Sequence, residues 1–139
     1  GLPYAAAHDV SSALAAMRGE RIDGSQRSIF ERRTPRIVFH GDRDKIVHPQ
    51  NAEHFLDQFI RREPLAALIE RRKLDLPRGH ACTRTVLKDL NGISICEHWL
   101  VHGAGHAWFG GDGRVRHADP TGPNASREMV RFFLEHRID

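Results

Sequence analysis

Two short segments hold residue types suited to acid–base chemistry. His40-Gly41-Asp42-Arg43-Asp44 places two carboxylates directly after the apolar run Ile37-Val38-Phe39. His102-Gly103-Ala104-Gly105-His106 places imidazoles among glycines, after Trp99-Leu100-Val101. A carboxylate beside an imidazole fixes its tautomer and stabilises the imidazolium formed when the ring takes a proton. The glycines let the backbone turn sharply, so that His106 can project from its loop into a site. At this level both Asp42 and Asp44 are candidates for the acid. The plainer alternatives are a loop or helix-capping carboxylate and a loop histidine satisfied by backbone.

A different chemistry is also written there. His98, His102 and His106 recur every fourth residue, a spacing that makes a metal-binding face on a helix. The strand-like residues before them and the glycines between them oppose a helix, so no metal is expected. Cys82 and Cys96 have neither zinc-site spacing nor the density of a disulfide scaffold and read as two free, half-buried thiols.

The elements that would position these loops follow from periodicity. Arg36-Ile37-Val38-Phe39 has the character of a buried parallel strand, ending where the carboxylates begin. Thr83-Thr85-Val86 and Ile93-Ile95-Trp99-Val101 flank Asn91-Gly92, a strong hairpin signal. The hairpin strands are expected near 82–88 and 94–101. An N-terminal helix is capped by Asp9 or Ser11, carries Val10, Leu14 and Met17, and ends at Gly19. A second helix starts at Pro49 with Ala52, Phe55, Leu56 and Phe59 as its stripe. Residues from Leu65 to Leu74 predict a further short helix, with Arg61-Arg62 and Arg71-Arg72-Lys73 on a solvated helix face. The last helix is capped by Asn124 and presents Met129, Val130, Phe133 and Leu134. Residues 20–34 predict a polar surface loop. Alternating strands and helices make the chain α/β, with both reactive loops at the strand ends where ligands bind in open sheets.

Composition narrows the function classes. The 139 residues are 40% hydrophobic and 28% charged, ordinary values for one soluble domain. The net charge of +3 comes from arginines spread along the chain, without the basic face and interleaved aromatics of a nucleic-acid binder. No apolar run approaches the ~20 residues of a membrane span.

His40-Gly41-Asp42-Arg43-Asp44-Lys45-Ile46-Val47 resembles the acid-loop motif H-G-x-x-D-x-x-V of α/β-hydrolases, a match that assigns the acid to Asp44 and makes Asp42 a turn residue. Gly103-Ala104-Gly105-His106-Ala107-Trp108 resembles the histidine loop of the same fold. Further stretches narrow the likeness: Gly1-Leu2-Pro3-Tyr4, Glu97-His98-Trp99, Asp119-Pro120, Ala125 to Met129, and Phe132 to His136. Together they resemble the C-terminal half of the poly(3-hydroxybutyrate) depolymerase family of esterases. The likeness covers nearly the whole chain, residues 61–80 least.

The resemblance implies the C-terminal part of a three-layer α/β/α sandwich, with residues 1–139 as one fragment of a single hydrolase domain. It also implies serine ester hydrolysis of polyhydroxyalkanoate-type or related esters, with Asp44 and His106 catalytic, Trp108 lining the substrate cleft, and no cofactor. Other esters of the feruloyl or acetyl type, or peptides, are alternatives within the fold. The family's nucleophile sits in G-x-S-x-G, and none of Ser11, Ser12, Ser25, Ser28, Ser94 or Ser126 is flanked in that way. The nucleophile is therefore expected upstream of Gly1, and the fragment alone is expected to lack triad activity. The family includes secreted enzymes, whose signal would lie upstream as well. From another class, the chain reads as a non-catalytic module that pairs with itself through a sheet edge left open where further strands belong.

Overall fold

The computed structural model describes residues 9–20, 34–62, 68–77 and 79–136. The opening Gly1-Leu2-Pro3-Tyr4, residues 21–33 of the stretch expected to be a surface loop and the start of the 65–74 segment lie outside them. The chain is α/β, as its periodicity predicts, built on a mixed four-stranded sheet. Strands β1 (Arg36–Gly41), β2 (Leu68–Leu74), β3 (Cys82–Lys88) and β4 (Ser94–Val101) stand in the order β1-β4-β3-β2. The pair β1–β4 is parallel; β4–β3 and β3–β2 are antiparallel. A separate parallel pair joins β5 (Trp108–Phe109) to β6 (Ala118–Asp119).

Helices cover both faces of the sheet. Helix α2 (Gln50–Arg62) buries Ala52 and Phe59, and Phe55, Leu56 and Phe59 pack on Leu87 and Cys96. The Arg36 guanidinium lies over the Phe55 and Phe59 rings, 5.3 Å from each centroid, and closes that layer. Strand alternation sends Glu97, Trp99 and Val101 to the opposite face. There helix α3 (Ala125–Leu134) inserts the fully buried Phe132, and its Arg131 reaches the Glu97 carboxylate at 2.7 Å. Burial raises the Glu97 carboxyl, but hydrogen bonds from Arg84, Arg131 and the Trp99 indole outweigh it and hold the group ionised.

Three expectations are corrected. The 68–74 segment is a strand, not a helix, paired with β3 from Leu68↔Lys88 to Leu74↔Cys82. Its charged residues carry helical propensity, but the free amides and carbonyls along β3 demand partners, and this segment supplies them. Arg71, Arg72 and Lys73 are accordingly exposed on an edge strand rather than a helix face. Helix α1 (Val10–Met17) forms with Asp9 as its cap, yet Val10 and Leu14 are exposed and Ala16 is its buried residue. In α3 the buried side chains are Ala125 and Phe132, whereas Val130, Phe133 and Leu134 face outward. In both helices the apolar stripe read from spacing differs from the side that is buried.

The hairpin stands where Asn91-Gly92 placed it, through a turn longer than two residues. The Asp89 carboxylate accepts from the amides of Asn91 and Ile93 at 2.9 Å each. Cys82 and Cys96 are free and fully buried, opposite Val101 and Leu87 respectively. Burial pushes the Cys96 thiol up to about 12, so it behaves as an apolar group.

Candidate active site

Parallel pairing of β1 with β4 aligns Gly41 with Val101, so the two strands end side by side and release their loops together. The Asp42 amide donates to Val101 O at 3.0 Å and the Arg43 amide to Ala104 O at 2.9 Å. This approach explains Gly41: a Cβ there would sit 2.3 Å from Ala104 O and 2.5 Å from Gly105 O. No side chain fits between the acid loop and the histidine loop at that point.

Across this junction His106 Nδ1–H donates to Asp44 Oδ2 at 2.8 Å, joining residues 62 apart in sequence. Asp44 Oδ1 accepts from the amides of Ile46 (2.8 Å) and Val47 (2.9 Å). Burial alone would raise this carboxyl, but the two amides and the His106 ring outweigh it and hold it below the usual range. The acid is therefore a buried carboxylate, 6% exposed, while the His106 ring is 47% exposed. Its Nδ1 is engaged, so the neutral ring leaves Nε2 bare as a proton acceptor.

A third group supports the acid. His40 is buried, donates from Nε2 to Val47 O at 2.8 Å and lies 3.4 Å from Asp44 Oδ2. Burial lowers its pKa, so the ring stays neutral beside the carboxylate, with Nδ1 unpartnered. The motif letters H-G-x-x-D carried this histidine, but nothing in its spacing told its role.

Asp42 is more than the turn residue expected from the motif. Its Oδ1 accepts from the Gly103 amide at 2.7 Å, and its Oδ2 from His102 Nδ1 at 3.1 Å. His102 Nε2 in turn meets Thr83 Oγ1 on β3 at 2.8 Å. Only tertiary structure pairs Asp42 with His102, because one loop offers two carboxylates and the other two imidazoles, which could pair in competing registers. The three histidines at every fourth position therefore part company: His98 is buried in β4, His102 pairs with Asp42 and His106 with Asp44. Among the described residues no cluster of three metal-ligating side chains is present.

Beneath the histidine loop, Phe109 and Val101 pack with Ala104 and Ala125, and Phe39 and Ala107 lean on this cluster. Trp108 is half exposed, and its indole N–H donates to Ser126 Oγ at 3.3 Å. It stands beside the cleft at Asp44 and His106 without lining it. That cleft, lined by Phe39, Gly41, Asp44, Gly105, His106 and Phe109 among others, measures about 70 Å³. Larger clefts of about 560 and 530 Å³ lie elsewhere and touch neither Asp44 nor His106.

No protein-family model matches this sequence, and no curated protein matches it either.

Proposed function

We propose that this chain contributes the acid and the histidine of a serine ester hydrolase of the α/β-hydrolase fold, with the nucleophile supplied by polypeptide outside these 139 residues. One observation carries the reading: a buried carboxylate, held ionised by two backbone amides, orients a half-exposed imidazole at adjacent ends of parallel strands. In the proposed reaction a serine Oγ–H gives its proton to His106 Nε2 as Oγ attacks the ester carbonyl. The Asp44 carboxylate stabilises the resulting imidazolium, which then protonates the departing alkoxide. Water, activated by the same nitrogen, releases the acid product and restores the serine.

The small cleft supports a site completed from elsewhere. Ligand sites enclose roughly 300–1,000 Å³, far more than the cleft at His106 offers. The sequence likeness to polyhydroxybutyrate depolymerases favours hydroxyalkanoate polyesters or related esters as substrates.

The test joins this chain to the residues that precede it in its gene and measures hydrolysis of p-nitrophenyl butyrate, acetyl and feruloyl esters and poly(3-hydroxybutyrate). His106→Ala and Asp44→Asn should each lower kcat by on the order of 10⁴-fold with folding intact. Unchanged turnover in both variants would overturn the proposal. Preference for the feruloyl or acetyl ester would move the substrate within the same chemistry.

A further inference from the structure

His106 sits on a backbone that has little of its own to hold it. Gly103 lies at φ +78°, in the left-handed region, and a Cβ on Gly105 would meet nothing within 4 Å. Glycines lose more conformational freedom on ordering than other residues, so this loop needs tethers that fix its path. Besides the Arg43 amide on Ala104 O and the Asp44–His106 bond itself, its tethers from the acid loop's side chains converge on Asp42. One carboxylate oxygen takes the Gly103 amide (2.7 Å), and the other takes His102 Nδ1 (3.1 Å). The far side of the His102 ring is anchored to β3 through Thr83 (2.8 Å). The chain Thr83–His102–Asp42–Gly103 thus crosses from the sheet to the acid turn and back into the histidine loop, three residues before His106.

We propose that Asp42 is a positioning residue, whose carboxylate clamps the histidine loop so that His106 Nδ1 meets Asp44. Asp42 and Asp44 divide the work of one turn: the first holds the backbone and the second holds the ring. The division has a physical basis. A charge-assisted hydrogen bond to a backbone amide is short and directional, and this one locks the residue whose φ sets the loop's course. A misplacement of about 1 Å in a catalytic group can cost on the order of 10²-fold in rate. The inference rests on the catalytic reading of Asp44 and His106 but concerns a different residue, and its test needs no nucleophile.

The 139-residue chain, labelled with ¹⁵N-histidine, is examined by NMR for the His106 Nδ1–H signal and the ring's tautomer, with assignment by His106→Gln. The wild type should show a protected downfield Nδ1–H resonance. Asp42→Ala should lose it and scramble the tautomer while cooperative thermal unfolding persists. Asp42→Asn should recover much of the signal, because its side-chain oxygen still accepts from the Gly103 amide. If Asp42→Ala fails to fold, His102→Ala carries the test and should weaken the signal, since it removes one arm of the clamp. A folded Asp42→Ala or His102→Ala chain with the wild-type His106 spectrum overturns the clamp alone. A wild-type chain without the resonance overturns the Asp44–His106 couple, and the clamp with it.

Discussion

At the scale of single residues, the site is a matter of which oxygen and which nitrogen meet. Gly41 shows how little room the junction leaves. In Gly41→Ala the new Cβ would press on Ala104 O from 2.3 Å, against backbone that cannot rotate away. We expect the acid and histidine loops to separate, and the His106 Nδ1–H resonance to vanish while the hairpin amides keep their hydrogen-exchange protection. Retention of that resonance in a folded Gly41→Ala chain would show that the loops can give. A second residue-scale prediction concerns His98, buried in β4 with Nε2 unpartnered. Burial, with help from His40 and Arg71, lowers its pKa from 6.5 to about 4. The unfolded chain therefore binds more protons between pH 6.5 and 4, and the folded state loses stability as pH falls through that window. The loss is roughly 3 kcal/mol at about 1.4 kcal/mol per pH unit. Urea unfolding at pH 7 and pH 5 should show a steeper drop for the wild type than for His98→Leu; equal slopes would remove His98 from the account.

At the scale of elements, helix α3 separates spacing from contact. Phe132 and Phe133 are neighbours, their rings 5.3 Å apart and edge-on, yet Phe132 is fully buried and Phe133 is 52% exposed. Phe132→Ala should cost about 3–5 kcal/mol through the cavity it leaves, whereas Phe133→Ala should change stability by about 0.5 kcal/mol or less. Thermal denaturation of the two variants compares them directly, and similar losses would mean that α3 seats on a different face. The anchor that chooses the face is polar: Arg131 binds the fully buried Glu97, together with Arg84 and the Trp99 indole. Strand β2 makes the same point at the edge of the sheet. Its Glu70 meets Lys88 of β3 at 2.8 Å, and the row from Glu70 to Lys73 makes a charged outer edge. Charged edges of this kind discourage pairing with another chain.

At the scale of the molecule, the two sheet edges are unlike. Opposite the charged β2, and among the described residues, strand β1 ends the sheet with Ile37, Val38 and Phe39, half-buried and paired with β4. An apolar edge of this kind presents unpaired backbone on which a further strand could pair. We expect the 139-residue chain to show concentration-dependent self-association by light scattering, reduced in Ile37→Lys; a monomer at every concentration would remove the β1 edge as a pairing surface. How much of this was legible beforehand differs by feature. The strand run at 36–39, the hairpin at Asn91-Gly92, the caps Asp9 and Asn124, and the stripe of α2 were readable, because each depends on neighbours within a few residues. The acid and the histidine were readable as candidates, because glycines and reactive side chains at strand ends are local patterns too. Three things were decided only by the assembled fold. The 68–74 segment became a strand because β3 offered it unpaired backbone. The buried side of α3 was set by Glu97, 34 residues from Arg131. The pairing of Asp42 with His102 came from the parallel register of β1 on β4, which also makes the hydrogen bond between Asp44 and His106, the two residues the motif resemblance had already singled out. Local sequence specifies which groups a loop carries, but a hydrogen bond across 62 residues exists only once the strands beneath it are aligned.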